Sequence, residues 1–410
     1  MIFSPWCVLR SIHVKNLFIT IIILVIVIIA LIVGFAWLRY GGSIEDVDRL
    51  QIFGGKGPGN ELFEGDVPPP QSSDQGGPLA RLQTPRLIQL TREAVVGPAV
   101  VRGEEKVKYF KRATGHLYQL DYEGRTPEER LSNVTIAGAR DARWSPNKNN
   151  AVVSFFTDNT LKHFALSYQA TSSRNEKVAS QGVFLPNDVI DVAFSQKDER
   201  MAYLLPTGAA TTLFSASSDG SGQKSIYTTS LSQLNLSWAG DEMSIVEKSS
   251  GLASSFLQRI GLRGTARTVL RDIEGLDVQW NGMGSLAIIS RTSLRGRNLA
   301  THIINAKGEI IVQLPFATIG SKCAWSHLEE ETVYCAVPRA LPPATYPDAW
   351  WQGIVSFSDD LWRVNTTTGE ADQIFSEGDF DITNLFFSGA EDRLFFLNKK
   401  DSTLWTLRLE

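Results

Sequence analysis

The segment Ala142-Arg143-Trp144-Ser145-Pro146-Asn147, followed by the apolar run Ala151-Val152-Val153, decides the fold because it is the clearest copy of a recurring pattern. Each copy ends a short apolar run on an aromatic residue, turns through small or polar residues, and resumes in a β-rich run. The other copies carry the aromatics Phe194, Trp238, Trp280, Trp325 and Phe387. Recurrence at intervals of 42 to 62 residues predicts a repeat protein rather than a series of unrelated domains.

A second element recurs in step with the first, as the third strand of each unit. Its seven copies are Leu117–Leu120, Leu161–Phe164, Leu213–Ala216, Phe256–Arg259, His302–Ile304, Leu361–Val364 and Leu404–Leu407. Four short strands in every 40–50 residues are typical of a propeller blade, and a blade buries both faces only when neighbours stack on it in a ring. The sequence therefore predicts an all-β, seven-bladed β-propeller over residues 86–410.

The ends of the repeat region predict how the ring closes. The last unit stops at Glu410 after its third strand, while Arg86–Thr91 reads as a fourth strand without a blade of its own. We expect the strand 86–91 to complete the last blade. The first unit has Pro98–Val101 as its first strand and lacks the aromatic, so a six-bladed ring stays an alternative.

The aromatic turn followed by an apolar strand resembles the WD-like repeat of TolB-type β-propellers. It is also similar to the propeller domains of dipeptidyl-peptidase and prolyl-oligopeptidase relatives. Trp144-Ser145-Pro146-Asn147 is close to the Trp-Ser-Pro-Asp pattern of the family, but the usual Asp-Gly after the Pro is missing from every copy. The resemblance covers residues 86–410, and it implies a cell-envelope protein that binds other proteins or small ligands.

The N-terminal region predicts a membrane anchor. Leu17–Leu38 contains no charge, and as a helix it would span about 33 Å, the thickness of a bilayer's hydrocarbon core. No small-residue cleavage site follows, so we expect an uncleaved signal-anchor, a transmembrane helix at 17–38, rather than a signal peptide. Arg10 and Lys15 favour a cytoplasmic segment at residues 1–16.

The segment that follows the predicted span predicts a tether. Residues 41–85 are rich in Gly and Pro, a composition that cannot bury enough apolar area to fold. As a flexible linker they would have a reach of roughly 35–40 Å. We therefore expect a single-pass protein of the cell membrane whose propeller lies outside the cytoplasm.

Charge and motif content argue against several functions. The net charge of −4 leaves no basic excess to neutralise phosphates, so nucleic acid is not an expected partner. No Gly-x-Ser-x-Gly elbow occurs, and the five histidines are scattered without metal-ligand spacing. We accordingly predict no catalytic residue, no metal site and no cofactor.

Two of the cysteines fall in one predicted hairpin. Pairing Trp325 with Val333, by analogy with neighbouring units, places Cys323 directly opposite Cys335. Cross-strand Cβ atoms in such a pair approach disulfide distance, and an exported domain meets an oxidising environment. The sequence thus makes Cys323 and Cys335 disulfide candidates, with two buried thiols as the alternative.

The sixth unit carries a long insertion before its third strand. Four prolines limit its freedom, while Tyr346, Asp348, Trp350 and Trp351 offer the large amphipathic rings and the charge that anchor binding sites. Insertions in repeat proteins map to loops on one face, often the binding face. We predict that these four residues contribute to a ligand or partner site. The alternative is that the tryptophans fold back over the channel or a blade edge.

Two functional classes remain open from the sequence. The first is a non-catalytic, membrane-anchored binding or scaffold module of the cell envelope, with envelope proteins, peptides or glycans as partners. The second is a propeller-type lyase or hydrolase that acts on sugars or peptides at the channel mouth. Several ionisable groups converging at the strand entries over the channel would favour the enzyme.

Overall fold

The computed structural model describes residues 85–168 and 180–409, which form seven four-stranded antiparallel sheets. The strands of blades 1 to 3 are β2 (Val95–Val100), β3 (Lys106–Lys111), β4 (Leu117–Asp121), β5 (Glu129–Arg130), β6 (Ala139–Trp144), β7 (Asn150–Thr157), β8 (Thr160–Tyr168), β9 (Ser180–Phe184), β10 (Asp191–Phe194), β11 (Arg200–Thr207), β12 (Ala210–Ser217) and β13 (Lys224–Thr229). Those of blades 4 and 5 are β14 (Leu234–Ala239), β15 (Glu242–Glu247), β16 (Ser254–Gly261), β17 (Ala266–Glu274), β18 (Asp277–Trp280), β19 (Leu286–Ser293), β20 (Asn298–Asn305) and β21 (Ile310–Gln313).

Blades 6 and 7 complete the ring. Their strands are β22 (Cys323–Trp325), β23 (Thr332–Pro338), β24 (Asp359–Asn365), β25 (Ala371–Phe375), β26 (Ile382–Phe387), β27 (Arg393–Asn398), β28 (Thr403–Arg408) and β1 (Leu87–Gln89). A 3-10 turn (Gly320–Lys322) precedes β22, and a one-turn helix, α1 (Asp348–Trp351), follows β23. The predicted all-β, seven-bladed propeller is confirmed. The six-bladed alternative is wrong, because β2 to β5 form a full first blade.

The seventh blade is built from both ends of the described chain. Its strand order is β1-β28-β27-β26, whereas every other blade uses four consecutive strands. Leu87 pairs with Leu407, and Gln89 pairs with Trp405. The N-terminal strand therefore occupies the place of the fourth strand, and its backbone hydrogen bonds join the first and last strands of the domain.

Apolar side chains between neighbouring blades hold the ring together. Within the described residues, seven apolar clusters each join two adjacent blades, and the cluster between blades 7 and 1 includes Tyr109 and Phe395. The ring of Trp144 stacks on Phe110 of the preceding blade at a centroid distance of 5.4 Å, and its indole N–H donates to the Gly97 carbonyl at 2.7 Å. This packing explains why an aromatic residue recurs at the end of most first strands.

The antiparallel order gives the propeller two distinct faces. We call upper face the one that carries the links between blades and the loops between second and third strands; the opposite one is the lower face. First strands of successive blades contact one another, as β2 contacts β6 and β10 contacts β14, so they line the central channel. Because β1 runs from the lower to the upper face, the chain enters the propeller at the lower face, next to Pro85.

The N-terminal elements predicted from the sequence precede the described residues. The membrane span predicted at 17–38 lies outside the described residues, as does all of the predicted linker except Pro85. In the ranges 85–168 and 180–409, no helix has the length and apolar character required to cross a bilayer.

Candidate binding site on the upper face

The insertion of blade 6 forms a small packed unit on the upper face. It runs between β23 and β24, over residues 339–358, and its single helical turn is α1. Tyr346 and Trp350 are both 1% exposed and form an apolar cluster with Phe357 and Ile319. The rings of Trp350 and Phe357 are nearly parallel, with centroids 6.0 Å apart. The prolines and aromatics of this segment therefore build a fixed structure rather than an extended loop.

Hydrogen bonds from α1 to two distant blades show that the insertion crosses the channel mouth. The Gly251 N–H, in a loop of blade 4, donates to Asp348 Oδ2 at 2.7 Å. The Trp350 indole N–H donates to both carboxylate oxygens of Asp381, at 3.0 and 3.1 Å, where the chain enters blade 7. Blades 4 and 7 stand on opposite sides of a seven-membered ring, so α1 lies over the channel.

Two glycines allow the insertion to approach blades 4 and 5 closely. The Tyr346 N–H donates to the Gly296 carbonyl at 2.8 Å. A Cβ at Gly251 would lie 2.2 Å from the Tyr346 carbonyl oxygen, and a Cβ at Gly296, where φ is +81°, would lie 2.7 Å from Thr345 Cγ2. A side chain at either position would therefore push the insertion away from the ring.

Beneath the insertion lies a fully buried ionic network. Lys322 Nζ donates to Asp359 Oδ2, to Asp381 Oδ1 and to a blade 7 carbonyl, each at 2.8 Å. All three charged side chains are 0% exposed, and burying charges is costly unless they are paired and hydrogen-bonded. One ammonium faces two carboxylates, and the backbone N–H of Phe357 and the indole of Trp350 supply Asp381 with further donors. The insertion thus completes the solvation of a buried negative charge.

The two carboxyl groups of this network differ in acidity. Burial raises the pKa of Asp359 to about 6, although the Lys322 ammonium opposes that shift. Burial also disfavours ionisation of Asp381, but Lys322 and the hydrogen bonds from Phe357 and Trp350 outweigh it, so the pKa of Asp381 is lowered. As the pH falls, Asp359 is therefore the first carboxyl of the network to bind a proton.

The four residues of the predicted partner site do not share one environment. Tyr346 and Trp350 are buried within the insertion, and the half-buried Asp348 is bonded to blade 4. Trp351 is 52% exposed and contacts Trp350 edge to face at 4.7 Å. Trp350 thus follows the alternative in which a tryptophan folds back over the channel, whereas Trp351 remains available to a partner.

Trp351 is one of four exposed apolar residues on connected loops of the upper face, a grouping that the sequence did not reveal. The other members are Leu252 (58% exposed), Leu294 (69% exposed) and Ile354 (72% exposed). Leu252 and Leu294 lie beside the two glycines that contact the insertion, so all four residues are on connected loops of the upper face. We call these four residues the upper-face patch. They are up to about a hundred positions apart in the sequence, and only the docking of the insertion brings their loops together.

Ionisable groups also gather at the channel entries of blades 2 and 3. The Arg143 guanidinium pairs with Asp191 Oδ1 at 2.9 Å and with Asp141 Oδ2 at 3.3 Å. Asp191 also accepts the Leu236 N–H at 2.7 Å, which ties blade 3 to blade 4. This cluster could not be predicted from the sequence, because its members are brought together by the closed ring and not by sequence spacing.

The two cysteines of the β22–β23 hairpin face each other across the pair of strands. Cys323 lies directly opposite Cys335 in the β22–β23 register, and the structure joins them by a disulfide with a Cα–Cα distance of 4.1 Å. Both side chains are buried in the cluster between blades 5 and 6. Among residues 85–168 and 180–409, no group of three or more His, Cys, Asp or Glu side chains is arranged to hold a metal ion.

Solved structures share this fold at very low sequence identity. Oligogalacturonate lyase from Vibrio parahaemolyticus is similar with a TM-score of 0.54 and 9% identity, over 79% of this chain and 93% of that chain. The β-propeller domain of Cps50 (Swd1) from Myceliophteria thermophila gives 0.52 and 9% identity, over 79% of this chain and 100% of that chain. A weaker likeness, with a TM-score of 0.41 and 10% identity, is to TolB from Acinetobacter baumannii, over 75% of this chain and 64% of that chain.

These likenesses concern the fold alone, because identities of 9–10% carry no residue-level correspondence. No protein-family model matches the chain, and no curated protein matches it in sequence.

Proposed function

We propose that this chain is a membrane-anchored binding or scaffold module of the cell envelope, and that it binds a partner protein through the upper-face patch. The observation that carries the proposal is the exposure of four large apolar side chains, 52–72% each, on connected loops of one face. Exposed apolar patches of this kind mark interaction sites, and a tryptophan is a frequent hot spot of binding energy.

The rigidity of the insertion supports this role. Trp351 follows directly on Trp350, whose ring and indole N–H are fixed by Phe357 and by the buried carboxylate of Asp381. Leu252 and Leu294 lie in loops bonded to the same insertion. A surface that is ordered before binding loses little conformational entropy in the complex, and more of the contact energy is then available for affinity.

The upper-face patch and the N-terminal strand's starting point lie on opposite faces of the propeller. The chain enters the propeller at the lower face, and the sequence predicts a linker and a membrane span N-terminal to that point. The patch is on the opposite face.

Charge at the edge of the patch suggests the chemistry of the partner. Arg295 and Arg297 are exposed on either side of the glycine that meets the insertion, and Arg295 is adjacent to Leu294. Basic residues at the edge of an interface favour partners that carry acidic residues at the matching positions. The partner that fits is therefore a protein segment with large apolar side chains flanked by acidic residues.

The experiment uses the full-length chain in cells with a chemical crosslinker. A Trp351→Gln, Ile354→Gln variant should lose its adducts by tenfold or more, on the order of a hot-spot loss. The matched control is Met283→Gln with Leu328→Gln, since these residues are 58% and 61% exposed but lie in lower-face loops. Three results would overturn the proposal: equal adduct yield in both variants, adducts that contain only copies of this chain, or binding of phosphatidylcholine vesicles that depends on the patch.

A second candidate function is that of a lyase or hydrolase acting on sugars or peptides at the channel mouth. It is favoured by the cluster of Asp141, Arg143 and Asp191 at the channel entry, and the solved structures of the same fold include an oligogalacturonate lyase. Incubation of the full-length chain with oligogalacturonate tests it through the ultraviolet absorbance of an unsaturated product. No absorbance change, or an equal change with Asp191→Asn, would exclude the cluster as the site of that reaction.

A further inference from the structure

The insertion leaves part of the channel mouth uncovered, beside blades 7, 1 and 2. A cavity of about 170 Å³ opens there on the upper face. Arg112 reaches it from blade 1, Arg140 and Asp141 from the first strand of blade 2, and Asn384 and Lys399 from blade 7. Three basic side chains from three blades therefore converge on one small space, with a single carboxylate among them.

These three cations differ from the other basic residues near the channel. Arg143 is paired with Asp141 and Asp191, and Lys322 is paired with two buried carboxylates. By contrast, no ion pair within the described ranges involves Arg112, Arg140 or Lys399. Unpaired cations around a partly enclosed space produce a positive potential that attracts anions.

Each of the three cations makes a direct contact with an uncharged group. An Arg112 guanidinium N–H donates to Ser402 Oγ at 3.2 Å, and the Arg140 guanidinium lies 5.1 Å from the centre of the Phe156 ring. Lys399 donates to the Trp350 carbonyl and lies 4.3 Å from the centre of the Trp350 ring. Lys399 thus forms the border between the cavity and the insertion, and burial lowers its pKa although the nearby Asp381 carboxylate opposes that shift.

We propose that this cavity binds a carboxylate group of a small ligand or of a peptide side chain. Arginine guanidinium groups match carboxylates through paired N–H donors, and the exposed amide of Asn384 adds a neutral donor. Asp141 disfavours a dianion such as phosphate more strongly than a monoanion. The cavity is smaller than the roughly 300–1,000 Å³ of typical small-molecule sites. It therefore has room for the carboxylate end of a ligand but not for a whole large ligand.

This site goes beyond the proposed partner binding, because it uses charged residues of blades 7, 1 and 2 and no member of the upper-face patch. The two proposals therefore fail independently. A Trp351→Gln, Ile354→Gln variant should keep carboxylate binding unchanged even if it loses its protein partner.

The test is calorimetric titration of the full-length chain in mild detergent with matched probes. Tri-glutamate is compared with tri-glutamine, and a uronic acid disaccharide with its neutral counterpart, so that peptide and sugar sources of the carboxylate are told apart. We expect at least one acidic probe to bind about tenfold or more tightly than its neutral match, with an affinity that falls as salt is added. Equal binding of both members of each pair, or tighter binding of inorganic phosphate, would overturn the proposal.

The variants locate the binding in the cavity. Arg112→Gln with Arg140→Gln should weaken the acidic probe about tenfold or more, whereas Arg102→Gln with Arg263→Gln, two exposed arginines of the lower face, should leave it unchanged. If the double variant fails to fold, the single variant Arg140→Gln replaces it, because this change removes only the contact with the Phe156 ring. It should also weaken binding of the acidic probe. Equal weakening by the cavity and control variants would contradict the assignment.

Discussion

Replacement of Trp350 by alanine tests whether the insertion is anchored as its contacts indicate. Trp350 is 1% exposed, stacks on Phe357, and donates its indole N–H to Asp381. Trp351, its neighbour in sequence, is 52% exposed and makes no comparable buried contact. Trp351 is therefore a matched control for Trp350, because the two residues are adjacent in sequence but only Trp350 holds the insertion to the ring.

The magnitude follows from burial and from the lost donor. Truncating a buried Trp to Ala costs about 3–5 kcal/mol, and here Asp381 also loses a hydrogen bond inside the buried network. With an unfolding entropy of about 2.1 cal/mol/K per residue, a domain of this size should melt about 4–7 °C lower. Trp351→Ala should lower the free energy of unfolding by about 1 kcal/mol or less, because it loses only the edge-to-face contact with Trp350.

Two measurements check the prediction. Differential scanning calorimetry compares the melting temperatures of the Trp350→Ala and Trp351→Ala variants, and limited proteolysis reports whether residues 339–358 become cleavable. Proteolysis is needed because the insertion could detach while the ring stays folded. If the Trp350→Ala variant has the melting temperature of the wild type and its insertion resists proteolysis equally well, the reasoning from burial and hydrogen bonding is refuted.

Three further predictions concern buried groups. Lys322→Met leaves two buried carboxylates without their cation and should cost about 3–5 kcal/mol at neutral pH, measured by denaturant unfolding; a loss below 1 kcal/mol would contradict the network. Burial raises the pKa of Asp277 to about 6, despite the hydrogen bonds from Ser321, so the folded state holds its proton more tightly than the unfolded chain does. Wild type should accordingly lose about 1–3 kcal/mol relative to Asp277→Asn as the pH rises from 4 to 7, and a constant difference would be incompatible with this pKa. Without reductant, alkylation followed by peptide mass analysis should label neither Cys323 nor Cys335, and labelling of both would show that they are thiols.

The fold could be predicted because each blade of a propeller packs on its neighbours in the same way, so similar residues recur at similar positions in the sequence. The recurring aromatic residue packs in an apolar cluster shared by two neighbouring blades, as seen for Trp144, Phe194, Trp238 and Trp280. Its regular spacing in the sequence therefore reflects the stacking of the blades. The first blade lacks this residue at the end of β2 and was therefore the uncertain unit. Of the aromatics in its second strand, Tyr109 packs in the cluster shared with blade 7 and Phe110 in the cluster shared with blade 2.

The candidate site could be predicted only in part, because it depends on contacts between distant segments. The insertion was visible as an interruption of the repeat. That Trp350 is buried while Trp351 is exposed depends on a hydrogen bond from Trp350 to Asp381, some thirty positions further on. The upper-face patch and the basic cavity have no local sequence pattern at all. Each is assembled from residues of three blades, so only the closed ring defines them.

The central claim, that the upper face is the binding face, can be tested most directly by site-specific photo-crosslinking. A photoreactive amino acid replaces Ile354, which is 72% exposed in the insertion, or Leu328, which is 61% exposed in a lower-face loop of the same blade. The two positions match in exposure and apolar character and differ in the face they occupy. In cells that express the full-length chain, we expect a discrete adduct with another protein from position 354 and none from position 328. Adducts from position 328 alone, or equal adducts from both, would contradict the account.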